Sequence, residues 1–312
     1  MDSGDSGSSV DSVDSGLRSR ARGCLLGLGV GNLLGLPNEF LLSPRTVPLA
    51  DIDPAELEQP WDDDLAQAFE LAQALAEKRP LDVEDLAARL VRWARTNGRG
   101  MGFQTRSVIQ LLERGLLPFA AARFVWERSS RQAAGNGGVM RVAPVGIAFH
   151  DDPEACARAA HDATAVTHCD PRCTQSAVAV AAGVAALLNE RSALEGALAA
   201  VDAQPRPEAE LLQALQAIPR LALEDLPIRS DGAIGYTVTC AAVGLWAAEQ
   251  PGRLEELLLA VVNACGDADT NGAVAGALLG AKHGASAIPA RWLERVRERA
   301  KLEQLAERLL ER

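Results

Sequence analysis

Apolar residues recur three and four positions apart along most of this chain. The period runs through Leu65 to Lys78, Val83 to Arg95, Ala155 to Val166, Thr174 to Glu190, Thr237 to Glu249, Arg253 to Ala264 and Asn271 to His283. These Ala/Leu-rich stretches predict helices. Ile288 to Arg312 is amphipathic, with Pro289 suited to a first helical turn, and predicts one long closing helix. No stretch alternates convincingly with period two, so the pattern predicts one compact all-α domain over residues 18–312. Residues 1–17 are rich in Ser, Gly and Asp, bury no apolar face, and predict a disordered tail.

Two of the helical stretches carry glycine at every fourth position: Gly23, Gly27, Gly31 and Gly35 in one, Gly272, Gly276, Gly280 and Gly284 in the other. A helical glycine costs about 0.5–1 kcal/mol relative to alanine. Four on one face predict close helix–helix approach, because small residues let backbones meet.

Composition narrows the class. The 312 residues are 48% apolar, 23% charged and 4% aromatic, with net charge −11, which excludes a wholly disordered or collagen-like chain. The chain is too acidic and too poor in aromatics for a broad nucleic-acid-binding face. No apolar run reaches the roughly 18–20 residues that span a bilayer, so no membrane partner is expected. The N-terminus has neither the basic nor the apolar region of a secretory signal. The six cysteines sit mostly in Ala/Val/Leu-rich segments and read as reduced thiols of a cytoplasmic protein. His168, Cys169 and Cys173 lack a second pair at zinc spacing, which argues against zinc.

The candidate chemistry is carboxylate. Asp62, Asp63 and Asp64 precede one predicted helix, and Asp267, Asp269 and Thr270 precede the second glycine-rich helix. One Asp explains a helix cap; three in a row exceed that need and repel one another unless a cation lies between them. Glu39 follows the first glycine-rich helix, so packing of the two stripes would bring it towards Asp267 and Asp269. Oxygen ligands of this kind suit Mg²⁺, Ca²⁺ or Mn²⁺. A set of helix caps is the alternative.

These same residues resemble the ADP-ribosylglycohydrolase family from about Leu17 to the end of the chain. Gly23-Cys24-Leu25-Leu26-Gly27 through Glu39-Phe40 is similar to its opening helix and acidic residue. Trp61-Asp62-Asp63-Asp64 resembles its W-T-D-D segment, and Gly100-Met101-Gly102 with Thr105-Arg106 its glycine-rich substrate loop. Gly135-Asn136-Gly137-Gly138-Val139-Met140-Arg141, Thr167-His168 and Gly266-Asp267-Ala268-Asp269-Thr270 follow in the family's order. The resemblance implies a single compact orthogonal helical domain, a monomer, that releases ADP-ribose from a modified protein side chain, small molecule or nucleic-acid end. It implies two Mg²⁺ or Mn²⁺ ions held by Glu39, Asp62, Asp63, Asp64, Asp267, Asp269 and Thr270. It makes Glu39 and Asp63 the candidate catalytic carboxylates, and Gly100, Gly102, Asn136, Gly137 and His168 the substrate contacts.

Three departures stand out. Asp62 and Leu65 replace threonines common in the family, Asn32 an aspartate, and Ala133 a serine. Asp62 and Asn32 motivate a second reading, a non-catalytic ADP-ribose-binding module of the same fold. The residues to Gly16 hold four Asp and no base, and the proposed site six carboxylates, so these two places account for ten of the eleven net negative charges.

Overall fold

The computed structural model describes residues 7–230 and 232–311, with side chains from residue 15 onward. Among the described residues there are fifteen α-helices and no strand. The first seven are α1 (Gly7–Gly35), α2 (Asp63–Glu77), α3 (Val83–Thr96), α4 (Phe103–Glu113), α5 (Pro118–Arg128), α6 (Ala143–Ala148) and α7 (Pro153–Ala165). The rest are α8 (Pro171–Leu188), α9 (Ala193–Asp202), α10 (Ala209–Ala217), α11 (Thr237–Glu249), α12 (Leu254–Asn263), α13 (Ala268–His283), α14 (Ala290–Leu293) and α15 (Arg299–Leu310). The helical class expected from periodicity holds. Most starts carry a local signal: Asp82, Asp152, Asp170 and Ser192 cap α3, α7, α8 and α9 with their side chains, and proline opens α5, α7 and α8.

α1 and α13 form the most extensive helix–helix interface. They run antiparallel with the glycine stripes face to face. A Cβ placed on Gly23 would lie 2.3 Å from the Gly280 carbonyl oxygen, on Gly27 2.1 Å from that of Gly276, and on Gly31 1.9 Å from that of Gly272. The reciprocal positions are as tight, at 1.9–2.4 Å. No side chain fits there, and the exposed Cα hydrogens lie against carbonyls, an arrangement that favours weak Cα–H···O contacts. Gly284 ends α13 with φ +78°; its backbone also lies against Gly23, whose Cβ would come within 2.7 Å of the Gly284 carbonyl carbon, while a Cβ on Gly284 itself would meet Ser19. Around the pair pack α8, α11 and α12 on the α13 side and α15 on the α1 side.

Three points bear on the expectations. The first helix is described from Gly7, so it runs through residues 7–17 of the segment expected to be a tail, and Leu17 packs against the core. Once α1 is held by its glycine stripe, extending it upstream adds one hydrogen bond per residue, a cheap step after nucleation. Residues 1–6 of the expected tail lie outside the described residues. The long closing helix is two helices, broken where Glu298 adopts φ 54°. The bend lets Trp292 and Val296 on one side, and Leu302, Leu305 and Leu309 on the other, all reach a curved core. Arg295 and Arg297 fix it by donating to the carbonyls of Ile52 and Gln59. Finally, the 18-residue α8 is long and apolar enough to cross a bilayer, unlike the expectation from sequence, but 83% of it is buried within the protein. It is a core helix, carrying Arg172 and Gln175 near its start.

Gly276→Ala is expected to lower the stability measured by urea unfolding by about 3 kcal/mol or more, the upper end of overpacking costs. Gly16→Ala lies in the same α1, but its methyl would meet only the flexible tip of Arg20 at 3.4 Å. That change should be neutral or stabilise by up to about 1 kcal/mol. Equal losses in the two variants would contradict backbone-to-backbone packing of the stripes.

Candidate active site

The stripe pairing ends at the site. Beyond Gly31, Gly35 packs against the backbone of Ala268 and Asp269, which brings the C-terminal end of α1 beside the N-terminal end of α13. A short antiparallel bridge ties the following loop down: Phe40 N–H donates to Gly266 O at 2.6 Å, and Gly266 N–H to Leu41 O at 2.8 Å. Glu39 is thereby fixed next to Asp267 and Asp269. α2 delivers the third carboxylate run.

Oxygens of Glu39, Asp267 and Asp269 lie within 4.8 Å of one another, and so do oxygens of Asp62, Asp64 and Asp269. Asp269 belongs to both triads. Asp62 and Asp267 occupy N-cap positions, yet neither side chain caps its helix. Elsewhere in the chain, Asp82, Asp152 and Asp170 do cap. The aspartates of the cluster are turned into the pocket, so the cap reading fails for them. Thr270 sits between the triads, its hydroxyl close to Asp64 and Asp267.

Asp63 stands outside both triads. Successive side chains on a helix point about 100° apart, so three consecutive aspartates cannot all face one point. Asp63 accepts from Gln67 Nε2 at 3.4 Å and faces Gly100, where a Cβ would lie 2.5 Å from its Oδ1 and 2.6 Å from Asp62 Oδ1. Gly100 has φ +75°, so a side chain there is excluded by both backbone and space. Its loop is tied to the same place by Arg99, which reaches Glu56 at 2.5 Å and Asp62 at 3.4 Å, and by Asn97 donating to Trp61 O. Gly102 sits on the open rim.

The second glycine loop closes the other side. Asn136 donates from Nδ2 to Asp267 Oδ2 at 2.5 Å, so its amide orients a carboxylate of the cluster. A second bridge holds this loop to Tyr236, with Asn136 N–H donating to Gly235 O at 3.0 Å. A Cβ on Gly137 would collide with the His168 ring at 2.7 Å and lie 3.4 Å from Thr105 Oγ1. Below the loop, the fully buried Arg141 donates to Gln67 Oε1, Gly137 O, Ala163 O and Thr167 Oγ1 at 2.7–2.9 Å. Arginine only donates, so Thr167 accepts from it and turns its own proton to His168 Nδ1, 2.8 Å away. The neutral imidazole then carries its hydrogen on Nε2, towards Gly135 and Gly137. Burial and the Arg141 charge push the His168 pKa down to about 3, which keeps the ring uncharged.

All six carboxyl groups are pushed up, first by burial. Glu39, the partly exposed one, reaches about 7 through burial and the charges of Asp62 and Asp267. Asp63, Asp64 and Asp269 rise well above the usual range through burial and neighbouring carboxylates. Asp64 Oδ1 and Asp269 Oδ1 are buried without a hydrogen-bond partner. Orphaned buried acceptors in an oxygen-only donor set fit a hard divalent cation.

The ADP-ribosylglycohydrolase family profile matches residues 14–312. The chain belongs to the ADP-ribosylglycohydrolase family. It is 32% identical to an uncharacterized protein of Archaeoglobus fulgidus, over 95% of this chain and 97% of that one. It is 29% identical to the ADP-ribosylarginine hydrolase Tri1 of Pseudomonas putida, over 94% of this chain and 78% of the relative. It is 26% identical to the ADP-ribosyl-[dinitrogen reductase] glycohydrolase of Rhodospirillum rubrum, over 90% and 91%. A solved structure described as an ADP-ribosylglycohydrolase-related protein complex superposes with TM-score 0.75 at 30% identity, covering 95% of this chain and 98% of that one. The chain is thus an enzyme of this family, all-α like its structural neighbour.

The departures from the family pattern find physical places. Asn32 is buried and donates to Asp64 Oδ2 at 3.1 Å, a neutral amide supporting a carboxylate that an aspartate there would repel. Leu65 packs on Gly29 of α1. Sequence reasoning gave no role to Gln67, Arg99 or Arg141. Arg141 had two signals, its place in the Gly135 to Arg141 motif and its position as a lone charge inside the apolar run Val139 to Ala148.

The raised carboxyl pKa values fix the sign of a pH effect. Without cations the folded state binds more protons than the unfolded chain between the ordinary carboxylate range and the raised values, so its stability falls as pH rises through that window. A divalent cation at about 100 times its Kd should restore about 2.7 kcal/mol. Mg²⁺ or Mn²⁺ is therefore expected to raise Tm by several degrees at neutral pH and by less at acid pH. Asp269→Asn should abolish the rise, because it serves both triads. Asp82→Ala, which removes a cap, should cost about 1 kcal/mol and leave the cation response intact.

Proposed function

We propose that this enzyme hydrolyses the bond between C1″ of ADP-ribose and a nitrogen of an arginine side chain, with two divalent cations, Mg²⁺ or Mn²⁺, in the carboxylate pocket. The observation that carries the metal reading is the pair of carboxylate triads sharing Asp269. The arginine linkage is that of the Pseudomonas putida relative, by its name.

Glu39, Asp267, Asp269 and Thr270 would hold one ion, and Asp62, Asp64 and Asp269 the other. When bound, such ions supply positive charge that orients ribose hydroxyls and offsets developing negative charge. The chain's own groups do the rest. Glu39 is the one carboxylate of the cluster with partial solvent access, suited to take a proton from water. The water oxygen bonds to C1″ as the C1″–N bond breaks, and the proton held by Glu39 passes to the leaving nitrogen. Departure from C1″ has oxocarbenium character. Asp63, beside the Gly100 loop and outside the triads, is placed to stabilise that charge. Free backbone N–H groups of the two glycine loops suit the diphosphate oxygens, and His168 Nε2–H offers a neutral donor.

Purified protein with Mg²⁺ or Mn²⁺ is expected to release ADP-ribose from ADP-ribosylarginine, and a chelator to stop it. Glu39→Gln should lower kcat by about 10²–10⁴ while ADP-ribose affinity, measured by calorimetry, changes little. Normal turnover in that variant would remove Glu39 from the chemistry. Tight ADP-ribose binding with no release from arginine, serine, O-acetyl or nucleic-acid linkages would establish the binding-module reading instead.

A further inference from the structure

Every large apolar side chain left exposed among the described residues belongs to one of two segments. Phe40, Leu42 and Val47 follow Glu39, and Phe103, Leu116, Leu117, Phe119 and Phe124 follow Gly102. Each segment thus begins beside a residue of the site. The second is the α4–α5 hairpin, and both its ends are anchored in the pocket. Its entry follows the Gly100 loop, which abuts Asp62 and Asp63, and its exit leads to the Gly135–Gly137 loop, which abuts His168. The hairpin has a small core of its own, Val108, Ala121 and Ala122, and leaves Phe103 84% and Leu117 66% exposed.

The same hairpin reverses the chain's charge. Between Asn97 and Gln132 there are six arginines, two glutamates and neither Lys nor Asp, in a protein of net charge −11. Arg99 is committed to Glu56 and Asp62, and Arg123 to Glu127. Among the described residues the exposed Arg106, Arg114, Arg128 and Arg131 have no carboxylate partner. Arg128 and Arg131 lie over the Phe124 and Trp126 rings, and Arg106 donates to a backbone carbonyl. Exposed aromatics interleaved with uncommitted arginines have the composition of a protein-binding face.

We infer that the α4–α5 hairpin is a docking face for the acidic surface of a folded protein that carries the ADP-ribose, so that macromolecular substrates are selected beside the pocket. This rests on the hydrolase reading above. Charge complementarity chooses the partner: arginines here, carboxylates there, with the apolar tip buried between them. A nucleic acid fits less well, because the tip offers aliphatic Leu116 and Leu117 as well as rings for stacking.

The test uses the full chain, Mg²⁺, free ADP-ribosylarginine, and the same modification on an acidic and on a basic folded carrier protein. The wild type should prefer the acidic carrier, and added salt should erode that preference. The double variant Arg114→Glu/Leu117→Ser, at the exposed tip, should lose about tenfold or more in kcat/KM on the acidic carrier through KM, with free ADP-ribosylarginine turned over as before. An equal loss on all substrates, no loss, or a preference for the basic carrier would overturn the inference. So would a loss confined to a 5′-phosphate-ADP-ribosylated oligonucleotide. If nothing is hydrolysed, the hydrolase reading fails by itself. The docking face is then judged by the Kd of the labelled acidic carrier, which a tenfold weakening in the double variant supports and an unchanged value overturns.

Discussion

The close approach of two helix backbones controls this structure. With glycine facing glycine from Gly23–Gly280 to Gly31–Gly272, α1 and α13 meet with no side chain between them. Helical glycines are unfavourable one by one, and only the shared interface compensates for them. The geometry has little freedom, because a methyl at any of these positions would lie within 2.4 Å of a carbonyl oxygen. The axial register of the two helices is therefore fixed, and so is the meeting of the α1 exit with the α13 entry. Glu39 reaches Asp267 and Asp269 as a consequence of that register.

What the interface brings together is electrostatically unfavourable on its own. Six carboxyl groups share a pocket whose nearest cations are Arg99 at the edge and Arg141 beneath it. Burial pushes the Arg141 pKa down to about 10, which still leaves it charged at neutral pH, and its donors are spent on Gln67, Thr167 and backbone carbonyls. The scaffold tolerates the cluster because it is over-determined. Stripe packing holds one side, two β-bridges hold the loops, and Asn32 and Asn136 bond individual carboxylates. Stability is given up locally at a place where binding a cation returns it.

The site was legible in the sequence to the extent that its residues sit in short runs. Asp62 to Asp64, Asp267 to Thr270 and Glu39 could be read as one carboxylate pocket because glycine periodicity predicted which helices would pack. The bonds that discriminate among those residues were not legible. Asn136, expected as a substrate contact, also orients Asp267. Arg141 and Gln67 form the floor of the site through contacts 22 to 74 residues apart in sequence, which no local spacing reports. The closing segment failed in the same way. Its amphipathic pattern is continuous across Glu298, and only the curvature of the core requires the turn there.

The sequence alone determined the helical class, the pairing of two glycine-striped helices, and the acidic, oxygen-only chemistry of the pocket. Each of these follows from residue type and short-range period, which the chain carries wherever it folds. Tertiary structure decided which carboxylates converge, with Asp269 shared between two triads and Asp63 turned aside by helix geometry. It decided that Asp62 and Asp267 leave their helices uncapped, since that choice depends on what lies across the pocket. It also decided that the arginines and aromatics of α4 and α5 flank the site, because both ends of that hairpin are anchored by loops held from elsewhere in the fold.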